Sequence, residues 1–153
     1  MTEPATQSTE APDPRSEMAA RAWHNLRILM HERADRRHEA TEALGMSFIR
    51  IKALRHIVAA KEPMTLRDLA DDLLTDRPYT TLVVDDLVGR GLVERSTNPA
   101  DRRSKIVTVT EAGRAAAARA ERILDSPPPI LRDLPAEELV VLDRVAARLV
   151  ADA

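Results

Sequence analysis

One stretch of this chain, residues 92–109, reads as β-strand where the ordered regions around it read as helix. It holds two short β-branched runs, Leu92-Val93-Glu94-Arg95 and Lys105-Ile106-Val107-Thr108-Val109, separated by the turn-rich Ser96-Thr97-Asn98-Pro99-Ala100-Asp101. Strand formers bounded by Asn, Pro and Asp predict a two-stranded hairpin. The chain is therefore mainly α with one small β element, and the place of that hairpin in the order of helices constrains the fold most.

On either side the apolar spacing is helical. A long pattern opens at Ser16, with Ala19, Trp23, Leu26 and Met30 at three- and four-residue steps, and stops at Leu44-Gly45. Its second half, HERADRRHEATEA, is too charged for a core helix and is expected to project or to cross a subunit surface. Ser47 opens a second helix with Phe48, Ile51, Leu54 and Val58 on one face, ending near Glu62-Pro63. Thr65 followed by Asp68 approximates a capping box for a short third helix carrying Leu66, Leu69, Ala70 and Leu73. Asp76-Arg77-Pro78 resets the chain, and a fourth helix runs from about Pro78 to Arg90, closed by Gly91. A fifth, Ala-rich helix starts at Thr110-Glu111 and ends near Asp125. Ser126-Pro127-Pro128-Pro129 breaks it, and a sixth spans Pro135 to Ala151 with Leu139, Leu142, Val145, Ala146 and Leu149 on one face. Residues 1–15 lack apolar periodicity and are expected to form a disordered arm.

Composition narrows the chemistry. The absence of cysteine excludes a disulfide scaffold, a zinc ribbon, an iron–sulfur site and a thiol redox sensor. One Trp, one Tyr and one Phe give no platform for stacking single-stranded bases. Four glycines, with no G-x-x-x-x-G-K or G-x-G-x-x-G, leave no phosphate-cradling loop. The longest apolar runs are too short to span a bilayer, and the polar, acidic start lacks the features of a signal peptide. A soluble, cytoplasmic protein is expected.

Candidate catalytic and metal groups fare poorly. His24, His31 and His38 recur every seven residues. At 1.5 Å per residue such side chains lie about 10 Å apart, too far to share a metal within one chain. They are read as solvent or interface histidines, with a site shared across a dimer as the alternative. Asp71-Asp72 and Asp85-Asp86 are adjacent residues that do not face each other on a helix, and are read as solvated faces. No Ser/His/Asp or metal-ligand spacing has support from its context, so neither an enzyme nor a cofactor is expected.

Two short helices joined by a tight turn and followed by a hairpin form the layout of a winged helix-turn-helix. A helix the length of Pro78–Arg90 fits the major groove of duplex DNA, and a basic hairpin tip reaches phosphates or the minor groove. Arg90–Lys105 holds five cations (Arg90, Arg95, Arg102, Arg103, Lys105) against two anions (Glu94, Asp101), net +3 in a chain of net charge −2. A solvated charged loop is the plainer account of the same pattern.

The stretch from Leu66 to Leu124 resembles the core of the MarR family of bacterial transcriptional regulators. The likeness rests on Leu69-Ala70, Asp85-Asp86-Leu87, Gly91-Leu92-Val93-Glu94-Arg95, the wing signature Asp101-Arg102-Arg103 and Thr110-Glu111-Ala112-Gly113, and extends from about Trp23 to the C-terminus. It implies a single domain over 16–153, with the winged helix at about 47–109 and dimerisation helices at about 16–44 and 110–153. Homodimers built from those terminal helices would read a pseudo-palindromic operator in double-stranded DNA. Asp101 and Arg103 match the family's wing Asp-x-Arg, in which the arginine reaches DNA and the aspartate fixes the wing. Arg102 and Lys105 lie beside them, and Arg95 is expected to pair with Asp101. Thr80, Val83, Val84 and Leu87 match core positions, while Pro78, Tyr79, Thr81 and Leu82 fall where the family places groove-facing residues. Leu82 occupies a site commonly basic or polar. Leucine can meet only a thymine methyl or the sugar wall, so readout by hydrogen bonds is thinner here, with Arg77 and Thr81 as compensation. Trp23 is a candidate for an effector pocket, or else a core or interface residue. The expected function is a sequence-specific DNA-binding regulator, a repressor relieved by a small-molecule ligand. The alternative is a winged-helix module that binds protein and not DNA.

Overall fold

Asp13 starts the described chain, its carboxylate accepting a hydrogen bond from the Arg15 amide at 3.2 Å and capping helix α1, Pro14–Ile28. The helix thus begins two residues ahead of the expected Ser16, on an acidic cap followed by proline, a favoured N-terminal pairing. The computed structural model describes residues 13–152, so all but the last three residues of the expected disordered arm lie outside it. The chain divides into two compact units, Met1–Asp35 and Arg36–Ala153.

In the first unit α1 widens into a π-helical turn, Leu29–Arg33, closed by the Ala34 amide donating to the Leu29 carbonyl at 2.8 Å. Ala34 then leaves the helical region at φ −133°. The single helix expected over 16–44 is therefore two. Its charged middle offers no apolar stripe, and helices of this length owe most of their stability to such packing.

The second unit opens with α2, Arg37–Leu44, which does not project as expected. Ala40 is fully buried, and its small side chain lets α2 lie close against the core while the charged residues point outward. Gly45, at φ 62°, ends α2 in the left-handed conformation that favours glycine. Then follow α3 (Phe48–Ala59), β1 (Met64–Thr65), α4 (Leu66–Leu73), α5 (Arg77–Gly89), β2 (Val93–Thr97), β3 (Lys105–Val109), α6 (Glu111–Leu124), α7 (Pro129–Arg132) and α8 (Ala136–Ala151). The core is aliphatic: Ile51, Leu54, Leu69, Val83, Val84, Leu87, Val93 and Val107 are the large side chains sealed from solvent. Each contributes about 1.5–3 kcal/mol by burial.

The hairpin is part of a three-stranded sheet in the order β1-β3-β2. Val93 pairs with Val109 and Thr97 with Lys105, while Met64 and Thr65 add an antiparallel edge against Val107 and Ile106. Two residues between a proline and a helix cap carry no alternation, which is why this edge is absent from the sequence reading. Gly113 brings α6 onto the start of the hairpin, where a Cβ at this position would stand 1.9 Å from the Leu92 carbonyl oxygen. The same carbonyl accepts from the Thr110 amide at 3.1 Å, and the Thr110 hydroxyl donates to Gly91 O at 2.7 Å. After the expected proline break, α7 is a single unexpected turn. No residue of α8 is fully buried, and Val140 and Leu149 are 65% and 56% exposed. Among the described residues no helix is long and apolar enough to cross a membrane.

Candidate nucleic-acid interface

The turn between α4 and α5 is built by side-chain caps. Thr65 and Asp68 form the expected capping box, the Asp68 amide donating to the Thr65 hydroxyl at 3.1 Å and the Thr65 amide to the Asp68 carboxylate at 3.3 Å. Leu74 ends α4 in the left-handed region, at φ 55°. Asp76 then caps α5, accepting from the Tyr79 amide at 2.7 Å. The buried Thr80 hydroxyl donates to the Asp76 carbonyl at 2.8 Å and lies 2.9 Å from the Thr75 hydroxyl. The N-terminal end of α5 is thus fixed, and Thr80, Val83, Val84 and Leu87 face the core as expected. Arg77, Pro78, Tyr79 and Leu82 are exposed on the opposite side, and Thr81 is half-buried.

The wing tip is held by its own polar groups. Asn98 accepts from the Ala100 amide and Asp101 from the Arg103 amide, each at 3.0 Å. The Ser104 amide donates to Asp101 O at 3.0 Å, and Lys105 Nζ donates to the Thr97 hydroxyl at 2.9 Å. Asp101 therefore folds the tip through the backbone, leaving Arg102 and Arg103 exposed and without an ion pair among the described residues.

Arg95 does not pair with Asp101. Its guanidinium meets Asp85 on α5, because Arg95 stands opposite Val107, whereas Asp101 lies in the tip beyond the Thr97–Lys105 pair. Nor are Asp85 and Asp86 solvated faces. Asp86 accepts from Arg90 Nε at 2.6 Å and from Arg50 Nε at 2.8 Å, tying α5 to α3. The Arg90 hydrogen bond chiefly holds its carboxyl below the ordinary 3.8, partial burial opposing and the Arg50 and Arg90 charges assisting. Arg90 also donates to Gly45 O at 3.1 Å. Of the five hairpin cations counted in the sequence, Arg90 and Arg95 are thus spent inside the fold.

A cleft of about 590 Å³ joins the wing to the helix-turn-helix. Arg77 and Thr81 line it from α5, and Asp101, Arg103 and Lys105 from the wing. Arg67, on α4, adds a fourth cation that sequence reading missed; its only signal was a basic residue on the outer side of a short amphipathic helix. Four cations against two carboxylates, Asp68 and Asp101, both engaged by backbone amides rather than by the cations, leave the lining net positive.

Residues 52–105 match the sequence profile of the MarR family. The match runs from within α3 through the helix-turn-helix to the start of β3. Every residue lining the basic cleft lies within the matched segment. MarR-family proteins are DNA-binding transcription regulators rather than enzymes. The MarR fold extends over most of the chain. Wild-type MarR from Escherichia coli superposes with a TM-score of 0.65 at 23% identity, covering 92% of this chain and 98% of that one. YusO from Bacillus subtilis gives 0.71 at 17% identity, covering 93% and 100%. The MepR–DNA complex of Staphylococcus aureus gives 0.60 at 18% identity, covering 82% and 98%. No curated protein sequence matches the chain.

The remaining candidates are not among the residues that line the cleft. Trp23 is 71% exposed on α1. His38 lies 3.3 Å from Glu42, and Asp72 faces His56 at 3.6 Å. Among the described residues no three His, Asp or Glu side chains gather as a metal site.

Proposed function

We propose that this MarR-family protein is a cytoplasmic, homodimeric repressor that reads a pseudo-palindromic operator in double-stranded DNA and is released by a small ligand. The observation that carries the reading is the basic cleft, where Arg67, Arg77, Arg103 and Lys105 converge from the turn helices and the wing. Exposed charges add little to stability, under about 1 kcal/mol, so cations gathered without carboxylate partners are best accounted for by a polyanion. In this reading α5 enters the major groove through Pro78, Tyr79, Thr81 and Leu82. Arg77, Arg102, Arg103 and Lys105 meet the backbone or the adjacent minor groove, while Asp101 and Arg95 hold the wing in place.

Arg103→Ala tests it. Operator affinity should fall about tenfold or more, and the slope of log affinity against log salt should become shallower by about 0.9 per lost phosphate contact. Thermal stability should stay nearly unchanged. Unchanged affinity and slope would favour a wing that binds protein instead.

For the ligand, a cleft of about 340 Å³ lined by Phe48, Lys52, Arg55, His56, Ala59 and Glu121 offers an aromatic wall and the Lys52 ammonium for an apolar anion, Arg55 being paired with Glu121 at 2.5 Å. Calorimetric titration with an aromatic carboxylate checks it, and Lys52→Ala should bind more weakly. Trp23, the sole tryptophan, is proposed independently as a ligand contact, with quenching of its fluorescence as the readout.

A further inference from the structure

The side of α5 turned away from the core is apolar. Its buried positions are Thr80, Val83, Val84 and Leu87, so the opposite ridge, at three- and four-residue steps, is Pro78, Leu82 and Asp85. Leu82 is 63% exposed and Tyr79, beside it, 44%. Two polar side chains of this face already have partners inside the protein. The Thr81 hydroxyl donates to Arg77 O at 2.9 Å, and the Asp85 carboxylate accepts from Arg95. Arg77 lines the basic cleft with Arg67, Arg103 and Lys105. A single exposed leucine is ordinary. Three neighbouring apolar side chains along a helix bordered by four cations are a surface shaped for something both anionic and locally apolar.

Duplex DNA offers one such group in its major groove, the thymine C5-methyl; every other base-edge feature there is a hydrogen-bond donor or acceptor. The bidentate contacts that read guanine or adenine need Arg, Lys, Asn or Gln, and the Pro78–Leu82–Asp85 ridge has none of these. We infer that Leu82, flanked by Pro78 and Tyr79, reads thymine methyl groups, and that the operator half-site carries thymine where it faces α5. This deepens the DNA-binding reading above and rests on it. Leu82 sets sequence preference, while the cations of the cleft set affinity for any duplex.

The test begins by enriching random duplexes on the full-length protein, then replaces thymine by deoxyuridine in the best-bound duplex, which deletes the methyl and nothing else. Each methyl buried against Leu82 accounts for about fourfold in affinity, so one in each half-site gives about fifteenfold weaker binding. Leu82→Ala should bind the thymine and uracil duplexes within about twofold of each other, with its melting temperature unchanged because the side chain is exposed. Equal binding of both duplexes by the unmodified protein overturns the inference and leaves sequence-specific DNA binding standing. A Leu82→Ala variant that still prefers thymine removes Leu82 from the role. Failure to enrich any duplex overturns the DNA-binding reading itself, and the inference with it.

Discussion

Two residues set how closely the winged helix is tied together. Gly113 sits in the first turn of α6, a place any helix former could otherwise fill, because α6 rests directly on the Leu92 carbonyl. Gly113→Ala should destabilise the protein by about 1–3 kcal/mol or more, since the obstacle is backbone that cannot rotate away. Urea unfolding measures this, and a neutral result would mean α6 sits further from the hairpin. Asp86 makes a pH-dependent contribution. Its folded-state pKa lies below the ordinary 3.8, so the stability it adds is present above that value and is lost as pH falls through the lower, folded-state one. Asp86→Asn should be less stable than the natural protein at pH 7, and the gap should close as pH drops below 3.8. A gap that stays constant with pH would show that packing, not charge, is what Asp86 supplies.

Among elements, the wing and α5 act as a pair because Arg95 bridges to Asp85. This pair is partly exposed, so its expected worth is about 1 kcal/mol or less to global stability. Its larger effect is on placement. Val93 and Val107 hold the base of the hairpin in the core. Arg95 is a side-chain link farther along β2 toward the tip, and without it Arg103 is less firmly placed relative to the recognition helix. Arg95→Ala should therefore weaken operator binding several-fold while leaving the melting temperature within about 2 °C, a small-ΔΔG shift for a chain of this length. Hydrogen exchange should quicken in β2 and β3 and stay unchanged in α3. If exchange is unaltered and affinity falls, Arg95 is instead a direct DNA contact.

At the scale of the whole molecule, both terminal helices leave apolar side chains exposed. Met18, Trp23 and Met30 are exposed on the first unit, and Val140, Val141, Leu149 and Val150 on α8. Leu139, Leu142, Val145 and Leu149 could contribute at most about 6–10 kcal/mol if fully covered, before the cost of association. A variant ending at Asp125 should accordingly sediment as a monomer or precipitate, whereas the full chain should sediment as a dimer. A stable dimer of the shortened variant would count against assembly through α8. With no cysteine in the chain, peroxide followed by a thiol reductant should not switch DNA binding off and on.

Local signals were enough for much of this. The capping box at Thr65 and Asp68, the stop at Gly45, the inward set Thr80, Val83, Val84 and Leu87, and the strand Lys105–Val109 follow from spacing and side-chain chemistry, which act within a few residues. Asp101 at the wing tip follows from the family likeness for the same reason, since its partner is an amide two residues away. Tertiary structure alone decided the rest. Ala40 is buried in a tract too charged to suggest it, because one small residue suffices where two helices approach closely. Met64–Thr65 forms a strand only because β3 is there to pair with it. Arg95 looks like a free wing cation until the fold brings Asp85 to it, whereas the Asp86–Arg90 pair, four residues apart, lay within reach of local spacing. Arg67 looks like surface charge until the wing completes the cleft beside it. Sequence reveals which side chains carry charge; whether that charge is spent inside the protein or left for a partner depends on residues far apart in the chain.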